Sequence, residues 1–186
     1  RDKTNAGMMD CKKALQEANG NLEQAMDLLR KRGLDIAAKK SSRATKEGVI
    51  AAYIHSNSKV GVLIEVCCES DFVAKNTDFQ TFVKDLTLQI ASAVPRYVTR
   101  DEVPAQVIER EKAIYREQVA GKPANIIDKI VDGKLEKFYK DVCLVDQLFV
   151  KDDKRTISDL LKEKIAQLGE NIAIRRFVRY QVGEEV

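Results

Sequence analysis

The run Val60-Gly61-Val62-Leu63-Ile64-Glu65-Val66-Cys67-Cys68, followed directly by Glu69-Ser70-Asp71-Phe72-Val73-Ala74, decides how this chain is read. Val60, Val62, Ile64, Val66 and Cys68 recur at every second position, the period of a strand with one buried face. Gly61, Leu63, Glu65, Cys67 and Glu69 make the opposite face mixed and partly exposed. The strand then stops at a polar step and offers an acid and an aromatic before a helix-like segment. Element ends of this kind are where a scaffold presents functional groups. On residue types alone the ordinary reading comes first: Ser70 or Asp71 caps a helix and Phe72 fills the core beneath it.

Upstream, Gly48 to His55 carries Val49, Ile50, Tyr53 and Ile54, and Ser56-Asn57-Ser58 supplies a turn, so residues 48–68 read as a β-hairpin. Downstream, Asn76 or Thr77 caps an amphipathic helix. Phe79, Phe82, Val83, Leu86, Ile90, Ala93 and Val94 form its core stripe, and Pro95 ends it. Residues 103–140 read as an antiparallel helical hairpin around Gly121-Lys122-Pro123. Thr156 with Asp159 resembles a capping box for a helix that Gly169 closes. The last strand, Asn171 to Val182, places Ile172, Ile174, Val178, Tyr180 and Val182 on one face. Arg175, Phe177 and Arg179 fall on the other, an outward face fit for another sheet or subunit, or else an edge strand protected by charge.

Residues 1–33 read as a small helical module. Asp10 caps one helix that Gly20 ends, and Asn21 caps a second that Gly33 stops. Met8 and Met9 then lie between helices, where they staple the bundle or form a soft contact surface; the core role is the default. The chain opens on Arg1, and a helix begun before Thr4 is expected to complete the bundle. Residues 34–47 read as a basic linker with Lys39, Lys40, Arg43 and Lys46. Residues 48–186 form the core domain.

Composition narrows the function. The chain has 186 residues, 44% hydrophobic and 33% charged, the balance of a globular domain. Its 32 Lys plus Arg against 29 Asp plus Glu give a net charge of +3, too even for nucleic-acid binding as the main activity. No apolar run nears the roughly 18 residues of a membrane span, and no signal peptide is visible, so a soluble protein is expected. Cys11, Cys67, Cys68 and Cys143 form no CxxC pair, and His55 is the single histidine. Neither a zinc site nor a Cys/His nucleophile finds support. P-loop, GxGxxG, HExxH and GxSxG motifs are absent. The residues alone describe an α+β binding module rather than an enzyme.

Four segments in order add to this. Thr4-Asn5-Ala6-Gly7-Met8-Met9-Asp10-Cys11-Lys12-Lys13-Ala14-Leu15, Glu65 to Ala74, Gly121-Lys122-Pro123, and Gly169-Glu170-Asn171-Ile172 with Arg175-Arg176 together resemble translation elongation factor Ts. The likeness covers nearly the whole chain. It implies a ubiquitin-associated-like N-terminal bundle, then an α+β core on an antiparallel sheet. It implies guanine-nucleotide exchange on elongation factor Tu in a bacterial-type cytoplasm or an organelle, without a cofactor and without direct nucleic-acid contact. A non-catalytic module that binds another partner is the alternative.

The family's Thr-Asp-Phe-Val segment intrudes near the magnesium site of the GTPase; here it reads Ser70-Asp71-Phe72-Val73. Carried over, Phe72 is a wedge between side chains of the GTPase, and Asp71 fixes or repels polar groups beside it. That reverses the first reading and turns Phe72 outward. Arg1, Met8 and Met9 match positions where the N-terminal module touches the GTPase, and His55 matches a core residue that faces the partner in longer members. Ser70 stands where Thr is usual, Cys67 where Asn is frequent, and Asn5 where Gly is common. Long members carry the core unit twice, and this chain has room for one copy. The resemblance therefore implies a short form that pairs as a homodimer, with Arg175, Phe177 and Arg179 and the hairpin strands as candidate interface.

Overall fold

The computed structural model describes residues 4, 6–119, 121 and 123–184. Two helices come first, α1 (Met8–Glu17) and α2 (Leu22–Lys40). Their shared core is small: Ala14, Ala18 and Ala25, with Leu28 and Leu29 against it. Alanines at the crossing let the backbones approach closely, which suits a pair with little apolar area to bury. Asn21 caps α2 as expected, accepting from the Gln24 amide at 3.1 Å.

Three expectations here are corrected. Gly7, not Asp10, is the N-cap of α1, and Asp10 sits in its first turn. Met8 and Met9 therefore begin the helix instead of lying between helices. Gly33 does not stop α2, which runs on through residues 34–40 of the expected linker. The physical reason is packing: a Cβ at Gly33 would lie 3.5 Å from the Ala166 Cβ. A mid-helix glycine costs about 1 kcal/mol relative to alanine. Here it lets α2 lie close against α7 (Ile157–Leu168).

The hairpin forms with β1 (Glu47–Ile54) antiparallel to β2 (Val60–Cys68). The last strand, β5 (Ile172–Gln181), pairs antiparallel on the other side of β2, giving the order β1-β2-β5. On the inner face Val62, Ile64, Val66 and Cys68 are buried, and Val49, Ala51 and Tyr53 of β1 pack beside them. Gly48 is required by this pairing. Its φ is 151°, and a Cβ there would stand 2.3 Å from the Val66 carbonyl oxygen.

Beyond β2 come the single turn α3 (Asp71–Ala74) and then α4 (Thr77–Ala93), which carries Phe79, Phe82, Val83, Leu86 and Ile90 onto the inner sheet face. Asn76 caps α4 through the Asp78 amide at 2.7 Å. The chain leaves α4 at Val94 in the left-handed region, immediately before Pro95. The expected helical hairpin is α5 (Ala105–Gln118) and α6 (Ala124–Val142), and α5 buries none of its residues. Arg100 fixes the hairpin base: it forks onto Asp146 at 2.9 Å and Glu136 at 2.8 Å and lies over the Tyr139 ring.

A short pair that the sequence pattern did not reveal, β3 (Leu148–Phe149) and β4 (Asp152–Thr156), leads into α7. Thr156 and Asp159 form the expected capping box there. Among the described residues no helix is long and apolar enough to cross a membrane.

Candidate partner-binding surface

The polar step after β2 is a rigid device. Ser70 is extended, with φ −129° and ψ 157°, and its hydroxyl accepts from the Val73 amide at 3.4 Å, so it is the N-cap of α3. Asn76 caps the next helix only two residues after α3 ends, and its amide donates to the Val73 carbonyl. One helical turn is thereby clamped between two caps. Ala74 is buried and Val73 packs against the core. Phe72 points the other way and is 82% exposed. The first half of the residue-level reading holds, since Ser70 caps. The second half fails, since Phe72 fills no core. Four residues with two inward anchors leave the remaining side chains to solvent.

Asp71 lies beside Phe72 and pairs with Lys75 at 2.7 Å. The hydrogen bond from the Lys75 ammonium holds the Asp71 carboxyl below the usual carboxylate range. The turn is also tied to the far end of the chain. Glu170 accepts from the Glu69 amide at 3.1 Å, the Ser70 amide at 2.9 Å and the Ser70 hydroxyl at 2.6 Å. In return the Glu69 carboxylate accepts from the Asn171 amide at 2.6 Å. Sequence reading missed these partners, although both residues lie in the Gly169-Glu170-Asn171-Ile172 motif.

The other predicted residues separate from this turn. Met8 and Met9 sit on the first turn of α1, 69% and 63% exposed, and neither belongs to the helical core. Met8 also lines an open apolar groove with Cys11, Lys12 and Leu15. The stapling role is therefore overturned in favour of a free surface. Arg1 lies outside the described residues. His55 is exposed just past β1, with the Tyr53 hydroxyl 2.9 Å from its Nδ1.

Arg175, Phe177 and Arg179 do not share an outward face. Glu65 pairs with Arg176 while Val66 pairs with Ile174, so Arg175 is the extra residue of a β-bulge. The bulge reverses the alternation beyond it. Phe177 stands opposite Ile64 and packs on the core, and Arg179 stands opposite Val62 with a side chain only 9% exposed. The outward face instead carries Ile50, Ile54, Leu63 and Tyr180, all exposed, and an Arg176–Glu65 pair at 2.6 Å.

Thiol chemistry gains nothing from the geometry. Burial pushes the Cys68 and Cys143 thiols up to about 11, which suppresses the thiolate at neutral pH. Among the described residues no group of three or more His, Cys, Asp or Glu could hold a metal ion.

Comparison with known proteins agrees with the motif order. The family model described as Elongation factor TS matches residues 3–184. The chain is 55% identical over 186 residues to elongation factor Ts of Carboxydothermus hydrogenoformans, covering 99% of this chain and 86% of that one. It is 56% identical over 188 residues to elongation factor Ts of Acetivibrio thermocellus, covering 100% and 87%. The protein of the same name from Geobacter sulfurreducens is 56% identical over 183 residues, covering 97% and 85%. With the family's motifs standing at the clamped turn and along the rest of the chain, this protein belongs to the elongation factor Ts family.

Proposed function

We propose that this protein is a guanine-nucleotide exchange factor for elongation factor Tu, and that Ser70, Asp71, Phe72 and Val73 form the segment that disturbs the magnesium and phosphate sites. The observation that carries the reading is the 82% exposure of Phe72 on a turn otherwise clamped by two caps. A large aromatic left in water on a rigid element stabilises nothing in the free chain, and aromatics of this kind anchor interfaces. Val73 and Ala74 hold the turn from inside, Phe72 enters the partner as a wedge, and Asp71 adds a negative charge beside it.

Exchange needs no covalent step, so the chain acts by binding alone. It must bind the nucleotide-free GTPase more tightly than the GDP-bound one, and linkage then obliges GDP to weaken its hold equally. Loss of magnesium and phosphate contacts removes the main electrostatic stabilisation of the bound nucleotide. Met8 and Met9, with Arg1, form a second contact, suited by the adaptability of methionine. The exposure of His55 is compatible with a contact of its own. The bacterial origin of the relatives supports a cytoplasmic setting.

The outward sheet face supports a homodimer. Ile50, Ile54, Leu63 and Tyr180 form an apolar patch that a second copy would cover, a role moved here from Phe177 and Arg179. Sedimentation equilibrium is expected to give twice the 20.9 kDa chain mass at micromolar concentration, and Leu63→Glu to give monomer. A wild-type monomer active in exchange would remove the dimer.

Release of a fluorescent GDP analogue from elongation factor Tu tests the main reading. Micromolar protein should accelerate release. Binding without acceleration would favour a non-catalytic interaction module.

A further inference from the structure

The register of β2 on β5 shows where the ladder ends and what replaces it. Cys68 pairs with Ile172, the last partners of the sheet. One step further Glu69 comes opposite Asn171, and two steps further Ser70 comes opposite Glu170. Backbone pairing has stopped there, yet the amides of Glu69, Ser70 and Asn171 still need acceptors. Side chains supply them. One Glu170 oxygen accepts from the Glu69 and Ser70 amides, and the Glu69 carboxylate accepts from the Asn171 amide. The result is a reciprocal clasp between segments a hundred residues apart in sequence.

The other Glu170 oxygen accepts a hydrogen bond from the Ser70 hydroxyl at 2.6 Å. A serine hydroxyl has one proton, so donating it to a carboxylate turns the lone pairs toward the Val73 amide. The carboxylate therefore sets the orientation of the very group that caps α3. Gly169, in the left-handed region at the end of α7, turns the chain so that Glu170 comes alongside. Asn171 completes the base: its amide group donates to the carbonyls of Ser41 at 3.3 Å and Arg43 at 2.8 Å, just past α2.

We propose that Glu170 is a positioning residue for exchange, fixing through the Ser70 hydroxyl and the strand-end amides the direction in which Phe72 leaves the surface. This rests on the reading of Phe72 as the partner contact. Phe72 itself has no anchor, so its aim depends on the turn beneath it. Misplacing a positioned group by about 1 Å can cost about 100-fold in rate. Glutamine at 170 keeps the clasp with one bond reversed: its amide oxygen can accept both backbone amides, and its NH2 can donate to one Ser70 Oγ lone pair, leaving the other for the Val73 amide. Alanine leaves all three donors without the acceptor.

The test is a double-mutant cycle on GDP release from elongation factor Tu, with each variant's denaturation midpoint measured in parallel. Phe72→Ala should slow release about 30-fold. Glu170→Ala should slow it about tenfold, Glu170→Gln should stay within about twofold of wild type because the clasp keeps its hydrogen bonds, and Glu170→Ala should add nothing in the Phe72→Ala background. Its lowering of the midpoint should be the same in both backgrounds, which separates aim from stability. Full additivity on release, or Glu170→Ala as fast as wild type, overturns the proposal. If Phe72→Ala is itself as fast as wild type, the Phe72 reading fails and the positioning role falls with it. Should Glu170→Ala not fold by circular dichroism, Ser70→Ala carries the same cycle: slower release alone and no further slowing with Phe72→Ala support it, additive slowing overturns it.

Discussion

Phe72 and Phe79 stand seven positions apart, on consecutive helices, and have opposite fates. Phe79 is fully buried at the start of the α4 stripe. Phe72 is 82% exposed on a single turn. The difference lies in length and anchorage rather than in residue type. The seventeen residues of α4 give it a continuous apolar face that must be covered, and Phe79 lies on it. The four residues of α3 use Val73 and Ala74 as their inward contacts and leave Phe72 no core to enter. One phenylalanine serves the fold, and the other is left in solvent.

Stability measurements can break this contrast. Phe79→Ala should cost about 3–5 kcal/mol in urea denaturation. Phe72→Ala should stay within about 0.5 kcal/mol of wild type, as a surface change does. Similar losses at both positions would end the comparison.

A smaller effect tests the clamp under Phe72. Ser70→Ala removes the cap of α3 and should cost about 1 kcal/mol, while slowing GDP release more than that loss of stability explains. Unchanged release with lowered stability would make the cap purely structural.

The smallest effect concerns Asp71. Lys75 holds its carboxyl below the usual range, so the pair contributes fully above the ordinary aspartate pKa of about 3.9 and is lost as pH falls through the lowered folded value. Between about pH 5 and about pH 8 the gap in midpoint between wild type and Asp71→Asn should stay constant and small. A gap that widens across that range would mean that another group titrates against Asp71.

Much of this was legible in the residues. Alternation from Val60 to Cys68 named the buried face of β2, and the spacing from Phe79 to Ile90 named the face of α4, because long elements repeat their pattern. The capping oxygens of Ser70, Asn76 and Thr156 announced their helix starts. Three features left no such mark. A helix of four residues is too short for periodicity to say which way Phe72 points, and only the motif resemblance turned it outward. The bulge at Arg175 adds one residue without any change in composition, so simple alternation puts Phe177 and Arg179 on the wrong side. Gly33 reads as a stop because its close approach to Ala166 is a tertiary fact. Glu170 was visible as part of a motif, but its partners lie across the strand end from it.

The central claim is that the exposed Phe72 acts on elongation factor Tu and not on the fold. Stopped-flow release of a fluorescent GDP analogue from elongation factor Tu, with wild type and Phe72→Ala at equal concentration, tests it most directly. Phe72→Ala should release GDP about 30-fold more slowly with an unchanged denaturation midpoint. Equal release by the two proteins would contradict the account.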